Sequence, residues 1–154
     1  MPDRVTIDEF LAQLHVAFVG VSRDNKQFAN AVYRSLRGGG RSLYPVNAAA
    51  EGKPLEGDVS YARLADVPDP VDGVVVMVPA GAAADVVRDA VDRGIPRVWL
   101  HRGIGKGSVS AEAVRICRES GVVLVDGACP LMFIEPVVGV HRIHRLLAGR
   151  RIAA

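Results

Sequence analysis

The chain has 154 residues, 49% of them hydrophobic and 23% charged, with a formal net charge of +2. That length suits one domain, and that apolar share supports a packed core and excludes disorder over most of the chain. No apolar stretch approaches the roughly 20 residues that span a bilayer, and the N-terminus MPDRVTIDEF has early acids and no apolar core of a secretory signal.

Taken in chain order, Thr6–Leu14 reads as a short leading helix, with Thr6 and Glu9 in capping-box spacing. Residues 15–20 follow as a buried strand, and from Asn25 to Arg37 the residues Phe28, Ala31, Val32, Ser35 and Leu36 recur at helical spacing before Gly38-Gly39-Gly40. Ser42–Val46 is a second strand, which Pro45 puts at its end or near an edge. Residues 47–70 form a loop-rich stretch with a helical turn around Tyr61–Leu64. Gly73–Val78 is a continuous apolar run, as expected of a strand covered on both faces. A helix over Ala82–Val91, a strand over Arg97–His101, a helix over Ser108–Ser120, a strand over Val122–Val125 and a helix over Val137–Gly149 complete the pattern.

Strand and helix alternate with short connections and no dividing linker. This predicts a single three-layer, doubly wound α/β domain with five parallel strands. The expected strand order is 3-2-1-4-5.

The C-terminal segment 137–154 holds Arg142, Arg145, Arg150 and Arg151 and no acid, which leaves 15 bases against 17 acids before it. Such a segment reads as a solvated helix end whose cations complement the helix dipole, in preference to a nucleic-acid contact. Two cysteines, Cys117 and Cys129, make neither a disulfide framework nor a metal cluster. A cytoplasmic protein with free thiols is the expectation.

Ligands of open α/β sheets bind outside the carboxyl ends of the strands, where the strand order reverses. Five loops are thereby selected: Gly20–Lys26, Asn47 onward, Val78-Pro79-Ala80, His101-Arg102-Gly103 and Asp126–Met132. The first offers Gly20 for close backbone approach, the Ser22 hydroxyl and the N–H groups of the following helix, with Arg23 and Lys26 adding charge, a pattern suited to phosphate. A plain capped turn is the competing reading. The loop lacks G-x-G-x-x-G, and Tyr44-Pro45-Val46-Asn47 ends in Asn where an NAD site carries an acid, which argues against a dinucleotide.

His101 faces the ligand side and suits a hydrogen bond to the ligand better than general-base catalysis. His15, His141 and His144 read as structural or surface residues. Cys129 is expected to shape its loop, because a reactive thiol needs neighbouring positive charge, and Cys117 is expected in the core.

The segments VAFVGVSRDNKQFANAVYRSL, SLYPVNAAAEGKPLEGDVSYARLADVPDPVDGVVVMVPA, GIPRVWLHRGI and GVVLVDGACPLMF, over about residues 12–135, resemble the CoA-binding domain family. These are small Rossmann-like proteins similar to the N-terminal domain of the succinyl-CoA synthetase alpha subunit. The resemblance implies that Gly20, Val21, Ser22, Arg23 and Lys26 surround the phosphates of coenzyme A. It places Pro45, Val46 and Asn47 near the adenosine end, and Val78, Pro79, His101, Arg102 and Gly103 in the third and fourth loops. Arg23, Lys26 and Arg102 are then available to its three phosphate groups.

The synthetase's phosphohistidine belongs to a second domain, so the expectation is a non-enzymatic protein that binds CoA or an acyl-CoA as carrier, sensor or regulator, without membrane or nucleic acid. A homo-oligomer, or an acyl-CoA-metabolising enzyme as partner, is compatible with this. Alternatives are the CoA-binding subunit of an acyl-CoA ligase with a separate catalytic chain, and an NAD(H)-binding regulator. The last needs a DNA-binding domain, for which the ~14 residues ahead of the first strand are too few.

Overall fold

The computed structural model of the protein describes residues 2–134 apart from 51, 104 and 106. Five parallel strands, β1 (His15–Val19), β2 (Ser42–Val46), β3 (Gly73–Val76), β4 (Arg97–His101) and β5 (Val123–Ala128), form one sheet. Four helices, α1 (Arg4–Leu11), α2 (Phe28–Leu36), α3 (Ala80–Asp92) and α4 (Ala111–Glu119), cover it. The expected helix over Val137–Gly149, with its arginines and His141 and His144, lies outside the described residues.

Side chains alternate across the strands, so each face of the sheet builds its own core. Val16 and Phe18 of β1, Val75, Trp99 and Val125 pack under α1 and α2 with Phe10, Val32, Tyr33 and Leu36. Ala17, Val74, Val76, Val98 and Leu100 point the other way, against Ala83, Val87 and Ala90 of α3 and Ala113 and Cys117 of α4. Trp99 is anchored at both ends: its ring meets Phe10 edge-on at 5.3 Å and its indole N–H donates to the Ala128 carbonyl at 3.0 Å. This is a doubly wound α/β architecture, as the alternation of elements predicts.

The strand order is 2-1-3-4-5, not 3-2-1-4-5. The outer edge of β2 is occupied by the chain itself: Tyr61 pairs in parallel with Val46, its N–H donating to Pro45 and its carbonyl accepting from Asn47, both at 2.9 Å. The third strand therefore returns to the free side of β1, where Val16–Val19 pair with Gly73–Val76.

Three local expectations also change. Asp3 caps α1, its carboxylate accepting the Thr6 amide at 2.8 Å and the Thr6 hydroxyl at 3.0 Å, so Thr6 lies inside the helix and is not its cap. The turn placed at Tyr61–Leu64 forms instead at Leu64–Asp66, because Tyr61 is extended along β2. Strand β5 runs on to Ala128, three residues beyond its expected end.

Candidate functional site

The order 2-1-3-4-5 places the reversal point between β1 and β3, and the loop after β1 begins there. Gly20 has φ +123°, and a β-carbon on it would stand 2.8 Å from the Met77 carbonyl carbon. Its amide donates to the Val46 carbonyl at 3.4 Å, while the Met77 amide donates to Val19 at 2.8 Å. The ends of β1, β2 and β3 are thus fastened together at the glycine.

The loop is built by its own side chains. Asn30, 1% exposed, accepts the Ser22 amide at 2.9 Å and donates to the Ser22 carbonyl and to Glu56, both at 2.8 Å. The Ser22 hydroxyl accepts the Asp24 amide at 3.0 Å, and the Asp24 carboxylate accepts the Lys26 amide at 3.0 Å. Helix α2 starts at Phe28, three residues later than expected, and its N-cap Gln27 makes no side-chain capping bond. Val21 is buried in the core and offers a ligand only its backbone. Arg23 and Lys26 are exposed, with Asp24 exposed between them. The Lys26 amide, then the Gln27 side chain, holds the Asp24 carboxyl below the usual carboxylate range, so a negative charge sits among the cations.

Asn30 and Glu56 have no counterpart in the sequence reading. Glu56 takes φ +51° in a tight turn closed by Leu55 and Asp58, which exchange backbone hydrogen bonds of 2.9 Å. Three residues of α2 and its C-cap, Arg37, grip this turn: Asn30 and Arg34 reach Glu56, each at 2.8 Å, and Tyr33 and Arg37 reach Asp58 at 2.6 and 2.9 Å. The Asn30 bond, ahead of Arg34, holds the Glu56 carboxyl low, whereas burial and then Asp58 push the Tyr33 hydroxyl up. The spacing N-x-x-Y-R-x-x-R on one helix, facing E-G-D, is the signal that would have found the clamp.

At the end of β2, Pro45 and Val46 are buried. Asn47 spends both ends of its amide on the backbone, donating to Val21 and accepting from Ala49, each at 2.8 Å. It therefore positions the first loop. Val78 and Pro79 lead into α3, and the Val78 carbonyl accepts the Ser108 hydroxyl at 2.6 Å. That bond ties the third loop to the fourth, and the Ser108 amide returns to the His101 carbonyl at 2.8 Å.

His101 is 9% exposed, its ring 5.8 Å from that of Phe28, with Gly103 so close that a β-carbon there would lie 3.4 Å from its Cε1. Arg102 is exposed and borders a cavity of ≈ 370 Å³ with Ala80, Val109, Ser110 and Ala111, between the first turns of α3 and α4. Gly20, Ser22, Arg23, Lys26, Asn47, Val78, Pro79, His101, Arg102 and Gly103 therefore all lie along the carboxyl edge of the sheet. His15 sits at the opposite edge against the Tyr44 hydroxyl, 3.3 Å away.

The fifth loop carries Cys129, which is 2% exposed in the core. Burial pushes its thiol up to about 11, and burial, then Asp126, does the same for Cys117. A thiol so placed is protonated at neutral pH and a poor nucleophile. Among the described residues no group of His, Cys, Asp and Glu is arranged to hold a metal ion, and no helix is long and apolar enough to cross a membrane.

A parallel sheet with covered faces, a glycine at the reversal point and a polar, cation-bearing loop after the first strand define a Rossmann-like α/β protein. The family model described as a CoA binding domain matches residues 15–135, and the chain belongs to that family. Among solved structures, a hypothetical protein from Pyrococcus horikoshii OT3 is similar at 26% identity and TM-score 0.73, over 93% of this chain and 90% of that one. A protein from Thermus thermophilus is similar at 28% identity and TM-score 0.72, over 96% and 99%. The chain is also similar to part of a dinucleotide-forming acetyl-coenzyme A synthetase from Ca. Korarchaeum cryptofilum, solved in complex with phosphate and ADP. That likeness has 26% identity and TM-score 0.66, covering 79% of this chain but only 27% of the synthetase.

Proposed function

We propose that the protein binds coenzyme A or a coenzyme A thioester along the carboxyl edge of its sheet, as a non-catalytic carrier, sensor or regulatory protein. The observation that carries this reading is the loop from Gly20 to Lys26. Its glycine is pressed against Met77 at the reversal point, its polypeptide is braced by Asn30, and its Arg23 and Lys26 stand in solvent. A ligand with three phosphate groups suits two cations here and a third, Arg102, across the sheet end. The ribose and adenine take the β2 side, beyond Asn47, and Val78, Pro79 and Gly103 line the path toward β4. The buried, protonated Cys129 supports a binding role in place of thiol chemistry.

Thermal unfolding with coenzyme A and with NAD tests the reading. At 100 times Kd the bound ligand adds about 2.7 kcal/mol of stability, so coenzyme A raises Tm by several degrees and NAD does not. Equal shifts from both ligands, or none from coenzyme A, contradict it.

The likeness to the acetyl-coenzyme A synthetase favours a second reading, in which the chain serves as the CoA-binding subunit of an acyl-CoA ligase. It predicts co-purification with a larger nucleotide-binding chain from the native host.

A further inference from the structure

We propose that Phe28 selects thioesters of coenzyme A over free coenzyme A by giving the acyl group an apolar surface beside His101; this rests on the coenzyme A reading above. Phe28 opens α2 and is 45% exposed, whereas Val32, Tyr33 and Leu36 of the same helix are buried. A lone exposed phenylalanine is ordinary. What distinguishes this one is its setting. Its ring leans on the imidazole of His101 at an interplanar angle of 56°, and a β-carbon at Gly103 would lie 3.4 Å from the imidazole Cε1. An exposed aromatic surface is thereby held on a firm, buried support at the ligand edge.

Its position also fits. His101 ends β4, and β3 lies between β4 and β1, so His101 stands roughly 10 Å from the end of β1 at ordinary strand spacing, and Phe28, two residues past Lys26, reaches toward it from the first loop. That displacement is away from β2. A nucleotide with its ribose over β2 and its phosphates over the β1 loop sends the rest of the molecule toward β3 and β4. In coenzyme A the rest is the pantetheine arm and its sulfur. The amides of the arm need hydrogen-bonding partners, which a phenyl ring lacks, whereas an acyl group gains by covering it.

The test is a calorimetric titration of the parent, Phe28→Ala and Phe28→Leu with coenzyme A, butyryl-coenzyme A and adenosine 3′,5′-bisphosphate. The parent is expected to bind butyryl-coenzyme A about five- to tenfold tighter than coenzyme A, for partial burial of the added carbons. Phe28→Ala brings that ratio close to one and leaves the bisphosphate affinity unchanged, and Phe28→Leu keeps part of the ratio. Three results overturn the proposal: equal affinity of the parent for both coenzymes; a ratio that survives Phe28→Ala, as when the acyl group enters the cavity beside Arg102; or a loss of all three ligands alike in both variants. Failure of the underlying reading looks different, because the parent then binds none of the three ligands, and the proposal falls with it.

Discussion

Gly20 and Met77 meet so closely that a β-carbon at Gly20 would stand 2.8 Å from the Met77 carbonyl carbon and 3.2 Å from its Cβ. The contact joins the carboxyl ends of β1 and β3, the strands between which the strand order reverses. At φ +123° the glycine also adopts backbone that other residues rarely tolerate. Gly20→Ala is therefore expected to lower stability by about 3 kcal/mol, from strain and overpacking combined. Urea unfolding measures it. A loss below about 0.5 kcal/mol would show that β3 yields to the added methyl.

Asn30 is the buried link between the first loop and the Glu56 turn. Removing its amide leaves the part-buried Ser22 N–H and C=O without their partner, at about 1 kcal/mol for each bond lost. Asn30→Ala should lower Tm and speed hydrogen exchange at the Ser22 amide, while amides of β4 keep their protection. Unchanged exchange at Ser22 would mean that the loop holds itself together.

Asp24 carries a negative charge between Arg23 and Lys26. Asp24→Asn keeps acceptor oxygen for the Lys26 amide and removes the charge. Coenzyme A affinity should rise about threefold at low salt, the size expected of one unit charge several ångströms away in water, and the gain should fade as salt screens it. An affinity that drops shows that the carboxylate orders the loop more than it repels the ligand.

The two buried thiols give a pH signature. Their pKa values rise from 9.0 to about 11 on folding, so between pH 9 and 11 the unfolded chain has released protons that the folded chain retains. The unfolded state then binds fewer protons, and stability falls as pH rises through this window, by about 2–3 kcal/mol per thiol. Below pH 9 the thiols have no effect. A Cys117→Ala/Cys129→Ala variant should show a shallower decline in chemical unfolding from pH 8.5 to 10.5. An identical slope would mean that the thiols titrate normally.

Much of this arrangement was legible in the sequence, and the exceptions have physical causes. Hydrophobic periodicity placed all five strands and the four described helices, because each element buries one face or both. The strand order failed even though Pro45 and the valines of β3 pointed to it. Pro45 cannot donate to a ladder and fits an edge, and Val74, Val75 and Val76 are fully buried, which suits a central strand. An order of 3-2-1-4-5 puts those valines at the edge and Pro45 inside. The site loops followed from the fold rule alone, and Gly20 from its isolated position after β1. The Asn30–Glu56 bridge was hidden because it joins residues 26 apart through side chains in a stretch that shows no periodicity.

The most direct measurement is a calorimetric titration of coenzyme A into the parent protein and into the Arg23→Glu/Lys26→Glu variant, with Tm recorded for both. Saturable binding by the parent, weakened at least tenfold in the variant at unchanged Tm, is the predicted result for phosphates held by the first loop. A parent that takes up no coenzyme A, or a variant that binds it as tightly as the parent, would contradict it.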